Sequence, residues 1–221
     1  MKHTEKELNT LKEEVNEMWK LVLSQLEKAK QAYLNKDIEQ AKEVISREKR
    51  VNAFELKIDS DCENYIALFS PVAIDLRLVL SLIKISSTLE RIGDFAEGIA
   101  RDVVENECVL IDPLLIEDLH LETIFDNIMS MLSDSFVALE SESTKLSGKI
   151  LAKDKIVDEL YREAIYTLAN YTQANPNQAE ACLRTIIIIR KLERIGDHCS
   201  NIVEEIVFYI DAKVLKHTKI N

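Results

Sequence analysis

Apolar residues recur at steps of three and four from the start of the chain: Leu8, Leu11, Val15, Met18 and Val22, continuing through Leu26, Ala29 and Tyr33. That period puts them on one face of a long amphipathic helix. The pattern breaks at Asn35–Asp37, where Asp37 is placed to cap a second helix running to about Phe69. The stretch "FSPV" ends that helix. Ser70 then reads as the N-cap of a third, with Pro71 in the first turn, where a missing N–H costs little. Asp112–Pro113 repeats the cap-and-proline signal, and Leu115, Leu119, Glu122 and Asp126 open a fourth helix toward Leu139. "ESESTKLSGK" is a polar connector containing Gly148. Val157, Leu160, Ala164, Leu168 and Tyr171 mark a fifth helix, "NPNQ" breaks it, and a sixth follows. Ile186–Ile189 in isolation fits a buried strand, but its long helical flanks make it a buried turn of helix.

The hexapeptide "LERIGD" stands in the third helix, Leu89–Asp94, and again in the sixth, Leu192–Asp197. A chance repeat of six identical letters in a chain this long has odds on the order of one in a thousand, so the two halves read as an internal repeat. "EKRVNAFELKI" (Glu48–Ile58) lies over "DKIVDELYREA" (Asp154–Ala164) in the same way. The expectation is all-α: six long antiparallel helices in two tandem three-helix bundles with a pseudo-two-fold relation, residues 1–108 and 109–221, joined near Asn106–Asp112. With only four Gly and three Pro in 221 residues, the chain lacks the turn signals a strand-rich fold requires.

Charge and composition narrow the partners. The net charge of −11 argues against nucleic acid as the main ligand, because neutralising phosphates needs a basic surface. The most apolar window, "SPVAIDLRLVLSLIKISSTL", is interrupted by Asp75, Arg77 and Lys84 and makes a poor membrane span. The N-terminus has no apolar signal region. Cys62, Cys108, Cys182 and Cys199 show no paired spacing, and four reduced thiols in a cytoplasmic protein is the plain expectation. The tail "KVLKHTKIN" is basic but too short to be a strong membrane signal.

Each hexapeptide carries chemistry. With Leu89, Ile92, Ala96 and Ile99 taken as the core face, Glu90 and Asp94 project away from it, about 40° apart around the axis. Leu192, Ile195, Cys199 and Ile202 place Glu193 and Asp197 likewise. Like charges at this spacing repel, which a cation between them would offset. Carboxylates are hard ligands, and pairs on neighbouring helices can build a multi-metal site. Asp154 and Asp158 supply such a pair on the fifth helix, where they can meet Glu193 and Asp197 across a groove. Their first-repeat counterparts are Glu48 and Asn52, which makes the first site the weaker one. A solvated acidic face, with Arg91 and Arg194 in salt bridges to the acids, is the competing reading. Gly93 and Gly196 then serve close helix approach. His198 reads as a surface residue and Cys199 as core.

The segments "SPVAIDLRLVLSLIKISSTLERIGDFAEGIA" and "IIRKLERIGDHCSNIVEE" closely resemble the signature helices of the PhoU family of phosphate-transport regulators. The tandem three-helix organisation matches that family from about Leu8 to Ile210. The resemblance implies a helical, cytoplasmic, often dimeric protein without an established catalytic activity, a negative regulator of phosphate uptake and of the phosphate-starvation response. Its implied partners are the phosphate ABC transporter and a membrane sensor histidine kinase, so that membrane contact comes only through partners. Some members carry metal clusters on E(D)-x-x-x-D motifs, which fall here on Glu48–Asn52, Glu90–Asp94, Asp154–Asp158 and Glu193–Asp197. Iron, manganese, zinc and magnesium are all open as the metal. Asn52 departs from the pattern, and Thr88 and Lys191 stand where the family often has Asp or His. Asp75 and Arg77 in "AIDLR" are partner-contact candidates by the same resemblance, with an internal salt bridge as the alternative. The alternative function is a carboxylate-bridged di-metal helical-bundle enzyme, a hydrolase or oxidase. Such bundles usually use Glu-x-x-His motifs on two helices, and of the four His only His120 stands three residues after a Glu, Glu117.

Overall fold

The first apolar stripe forms helix α1, Lys2–Asn35, which buries Leu11, Val15, Met18, Trp19, Val22, Leu26, Ala29 and Tyr33 along one face. Asp37 accepts a hydrogen bond from the backbone N–H of Gln40 and so caps α2, Ile38–Phe69. Helix α3, Ala73–Glu105, completes the first bundle. The second contains the short α4, Pro113–Asp118, then α5, Leu121–Glu140, and α6, Ser147–Ala174. A 3-10 turn, Pro176–Gln178, leads into α7, Ala179–Asp211. The computed structural model describes residues 2–106 and 112–214. The boundary expected at 108/109, Cys108 and most of the basic tail lie outside them. Among the described residues no helix is long and apolar enough to cross a membrane.

Helices α3 and α7 run antiparallel down the middle of the molecule. Near one end, Arg77 Nε donates to the Tyr209 carbonyl at 3.2 Å and Ser81 Oγ to the Glu205 carbonyl at 3.2 Å. Lys84 reaches the Glu205 carboxylate at 3.0 Å, and farther along Lys191 Nζ donates to the Gly98 carbonyl at 2.7 Å. Helices α1 and α5 close the opposite side, so that one continuous apolar core links both bundles. All four core positions expected in each hexapeptide helix are buried. Ile188 and Ile189 are buried within α7, as their helical flanks require. Cys182 and Cys199 lie on that helix too, about 25 Å apart along its axis, and both are free.

Two local expectations change. Ser70 is not the N-cap of α3: it closes α2 in a left-handed conformation, φ 45°, with its N–H on the Ile66 carbonyl at 3.1 Å. Pro71 disfavours right-handed α geometry in the residue before it, so the helix cannot run through Ser70. Val72 then takes the extended N-cap position with no side-chain cap. The fourth helix is also broken, at His120, which has φ 51°. Leu119 and Leu121 are both buried, and residues two apart point to opposite sides of a helix. The break lets both face the core.

Candidate metal-binding site

Leu192, Ile195 and Cys199 turn α7 so that Glu193 is half-buried and Asp197 exposed in the groove against α6. On α6 the buried Val157 orients the neighbouring Asp158 into the same groove. One carboxylate oxygen each from Asp158, Glu193 and Asp197 can then lie within 4.8 Å of the others. Partial burial, and then repulsion from Asp197 and Asp158, raises the Glu193 carboxyl above the ordinary range; burial and Asp158 do the same to Asp197. The nearest opposing charge on Asp158 is Arg162, at 3.7 Å. Three converging carboxylates form a hard, oxygen-only donor set, which fits a divalent or trivalent cation. A cation there would supply the charge these acids lack.

Asp154 does not join that triangle. Its Oδ2 accepts from Ser200 Oγ at 2.8 Å, while Oδ1 is sealed from solvent without a hydrogen-bond partner. A Cβ added at Gly196 would stand 3.0 Å from that Oδ1. Gly196 therefore provides the space in which the Asp154 carboxyl packs under α7. Burial pushes the carboxyl up to about 6, opposed by the Ser200 hydrogen bond. Ser200 was not among the expected residues, although it lies one helical turn beyond Gly196 and on the same side.

The first repeat is looser. Glu48 accepts a hydrogen bond from the Asn52 amide, so the departing residue occupies the acid it should have joined. Burial and then Asp94 push Glu90 up to about 7, with Glu55 and Glu48 adding to the repulsion. Asp94 is raised by burial and by Glu48. Glu55 is the carboxylate that the motif misses; it lies one turn beyond Asn52 on the same face of α2. Among the described residues, only Asp158, Glu193 and Asp197 offer three ligand atoms this close. A Cβ at Gly93 would lie 3.2 Å from Val51 Cγ1, so this glycine also serves close helix approach.

Between the two grooves the matching residues Phe95 and His198 stack on each other, with centroids 5.7 Å apart, and the Arg194 guanidinium lies 5.6 Å from the Phe95 centroid. His198 is thus half-buried in the α3–α7 seam rather than a simple surface residue, and burial lowers its basicity. Thr88 Oγ1 donates to the Lys84 carbonyl, and Lys191 ties α7 to α3 through Gly98. Asp75 and Arg77 sit far from the grooves, at the start of α3. There Arg77 is held by the Tyr209 carbonyl.

The PhoU domain model matches the chain twice, over residues 15–103 and 121–206, once per bundle. The phosphate-specific transport system accessory proteins PhoU of Edwardsiella tarda and Escherichia coli (strain K12) are each 35% identical over 211 residues, covering 96% of this chain and 86% of theirs. The PhoU homolog of Aquifex aeolicus (strain VF5) is 33% identical, covering 97% of this chain and 96% of its own. The crystal structure of PhoU from Pseudomonas aeruginosa superposes with a TM-score of 0.88 at 29% identity, covering 95% of this chain and 99% of that one. The phosphate transport system regulatory protein PhoU from Streptococcus pneumoniae gives 0.83 at 28%, covering 96% and 98%. These relatives are named as accessory and regulatory proteins, not as enzymes. With both bundles matched and the hexapeptides at equivalent places in each, the chain belongs to the PhoU domain family.

Proposed function

We propose that this chain is an accessory protein of a phosphate-specific transport system. It acts as a cytoplasmic, dimeric adaptor that restrains phosphate uptake and phosphate-starvation signalling by docking on the phosphate ABC transporter and on a membrane sensor histidine kinase. The observation that supports this reading is the 35% identity, over 96% of the chain, to proteins named as phosphate-specific transport system accessory proteins. Asp158, Glu193 and Asp197 hold a metal ion between α6 and α7, with Asp154 behind them; Glu48, Glu90 and Asp94 form the weaker second site. Iron, manganese, zinc or magnesium suits these oxygen ligands, and the ion's task is to neutralise the acidic face that partners meet. Asp75 and Arg77 belong to the contact surface at the end of the seam.

The test is binding of purified protein to transporter-containing membranes and to the kinase, with and without phosphate, before and after chelation. Association that weakens on chelation and in Asp197→Ala supports a metal-dependent adaptor. Association unaffected by either removes the metal from the mechanism, and no association under any condition sinks the adaptor reading itself.

A further inference from the structure

The α3–α7 seam carries a row of cations through a chain whose net charge is −11. On either side of its middle each has found an oxygen: Arg77 the Tyr209 carbonyl, Lys84 the Glu205 carboxylate, Lys191 the Gly98 carbonyl, and Arg184 the Glu180 and Asp102 carboxylates. The two in the middle have not. Arg91 and Arg194, matching residues of the two hexapeptides, are exposed, and among the described residues neither has a hydrogen bond or a carboxylate in salt-bridge range. The salt bridges that would tie them to the motif acids do not form. Glu90 and Asp94 feel Arg91, and Glu193 and Asp197 feel Arg194, only at longer range.

The two charges converge on the stacked rings between them. The Arg194 guanidinium lies 5.6 Å from the Phe95 centroid, and Phe95 stacks on His198 at 5.7 Å. Arg91 stands one turn before Phe95 on α3, as Arg194 stands one turn before His198 on α7. Both guanidinium charges reach the His198 imidazole, whose basicity burial and then these charges lower. That imidazole makes no hydrogen bond among the described residues, and neither ring nitrogen is sealed from solvent. Three donor groups thus face one open spot over an aromatic floor. Like charges converge at a cost, which an anion between them would offset.

We propose that the middle of the seam binds a tetrahedral oxyanion of the phosphate type between Arg91 and Arg194, with His198 donating a further hydrogen bond. A guanidinium fork matches two oxygens, so one arginine fills one carboxylate. Two forks from opposite helices call for an anion with oxygens on more than one side. The acids of the two grooves keep the affinity modest by repulsion. Free inorganic phosphate and a phosphorylated side chain of a docked protein offer the same dianion. The second source rests on the adaptor reading; the anion chemistry does not.

The full-length protein, freed of metal by chelation so that no metal ion can hold the anion, is titrated with inorganic phosphate at about pH 8 and constant ionic strength. The ring resonances of His198 and Phe95 are followed, with acetate as the planar match. The expected result is saturation with a dissociation constant on the order of a millimolar, and acetate weaker by about fivefold or more. Arg91→Gln and Arg194→Gln should each weaken phosphate about fivefold. Arg162→Gln, an equal loss of charge on the far side of the second groove, should change it less than about twofold. Both seam arginines are exposed, so circular dichroism should show the fold retained in either variant. Absence of saturation, equal binding of acetate, or an effect of Arg162→Gln as large as those of the seam variants would each overturn the proposal. Tighter binding of phosphate than of N-acetyl-phosphoserine amide assigns free phosphate as the source, and the reverse a phosphorylated side chain. Loss of transporter docking with phosphate binding intact would defeat the adaptor reading and leave this one standing.

Discussion

Gly93 and Gly196 occupy matching positions, yet a methyl group on each meets a different neighbour. At Gly93 it meets Val51, a β-branched side chain fixed in the core; at Gly196 it meets the tip of Asp154. Alanine gains about 1 kcal/mol of helix propensity in both places. Overpacking against Val51 costs about 1–3 kcal/mol. Gly93→Ala should therefore destabilise by about 1 kcal/mol in urea titration, and Gly196→Ala by less, because a carboxyl end can swing aside. The acids predict a pH effect. Glu90 and Asp154, raised to about 7 and about 6, bind protons more tightly in the fold than in the unfolded chain. Their stabilising protonation is complete below the ordinary carboxylate range and is lost as pH rises through 6 to 7. Glu43 and Glu142, held down first by hydrogen bonds from Lys28 and Lys12, act with the opposite sign at lower pH. After solvent screening, metal-free protein should melt about 2–4 °C lower at pH 8 than at pH 5.5, and a divalent cation should remove most of the difference. Elemental analysis of Asp197→Ala should show the second-repeat metal lost, with the fold intact by circular dichroism.

At the scale of elements, the breaks between helices carry the strain. Ser70 holds φ 45°, and Ala73 φ 48°, in the left-handed region that L side chains enter at a cost. Ser70→Gly should stabilise the chain by about 0.5–1 kcal/mol, read from the urea midpoint, because it relieves that cost at a helix end where glycine is preferred. The aspartate caps were legible in advance: Asp37 and Asp112 both accept the backbone N–H bonds their positions suggested. Ser70 was misread because Ser-Pro is equally a start and a stop signal. Which it becomes depends on where the next helix must enter the bundle. The split at His120 was hidden for a related reason: Leu115 and Leu119 keep helical spacing, and only burial of Leu121 as well forces the turn.

For the whole molecule, the contact between bundles matters as much as either bundle. Trp19, the single tryptophan, is fully buried on α1, donates Nε1–H to the Leu132 carbonyl of α5 at 3.2 Å, and packs on Phe136 with ring centroids 5.6 Å apart. Its fluorescence therefore reports the joint between repeats. Urea unfolding followed by that signal and by circular dichroism should coincide in one transition. Trp19→Ala should cost about 3–5 kcal/mol. Two separated transitions would mean that the bundles fold independently. By itself the sequence determined the helical periods, the repeat, the core face of each hexapeptide helix and the outward direction of its acids, since all of these follow from spacing along a single helix. Only the tertiary structure decided which acids meet. Asp154 and Asp158 are equally placed on a helical wheel, but the packing of α6 against α7 gives Asp158 to Glu193 and Asp197 and turns Asp154 to Ser200. The seam of Phe95 and His198 and the convergence of Arg91 and Arg194 on it depend in the same way on distances between helices, which spacing along one helix does not encode.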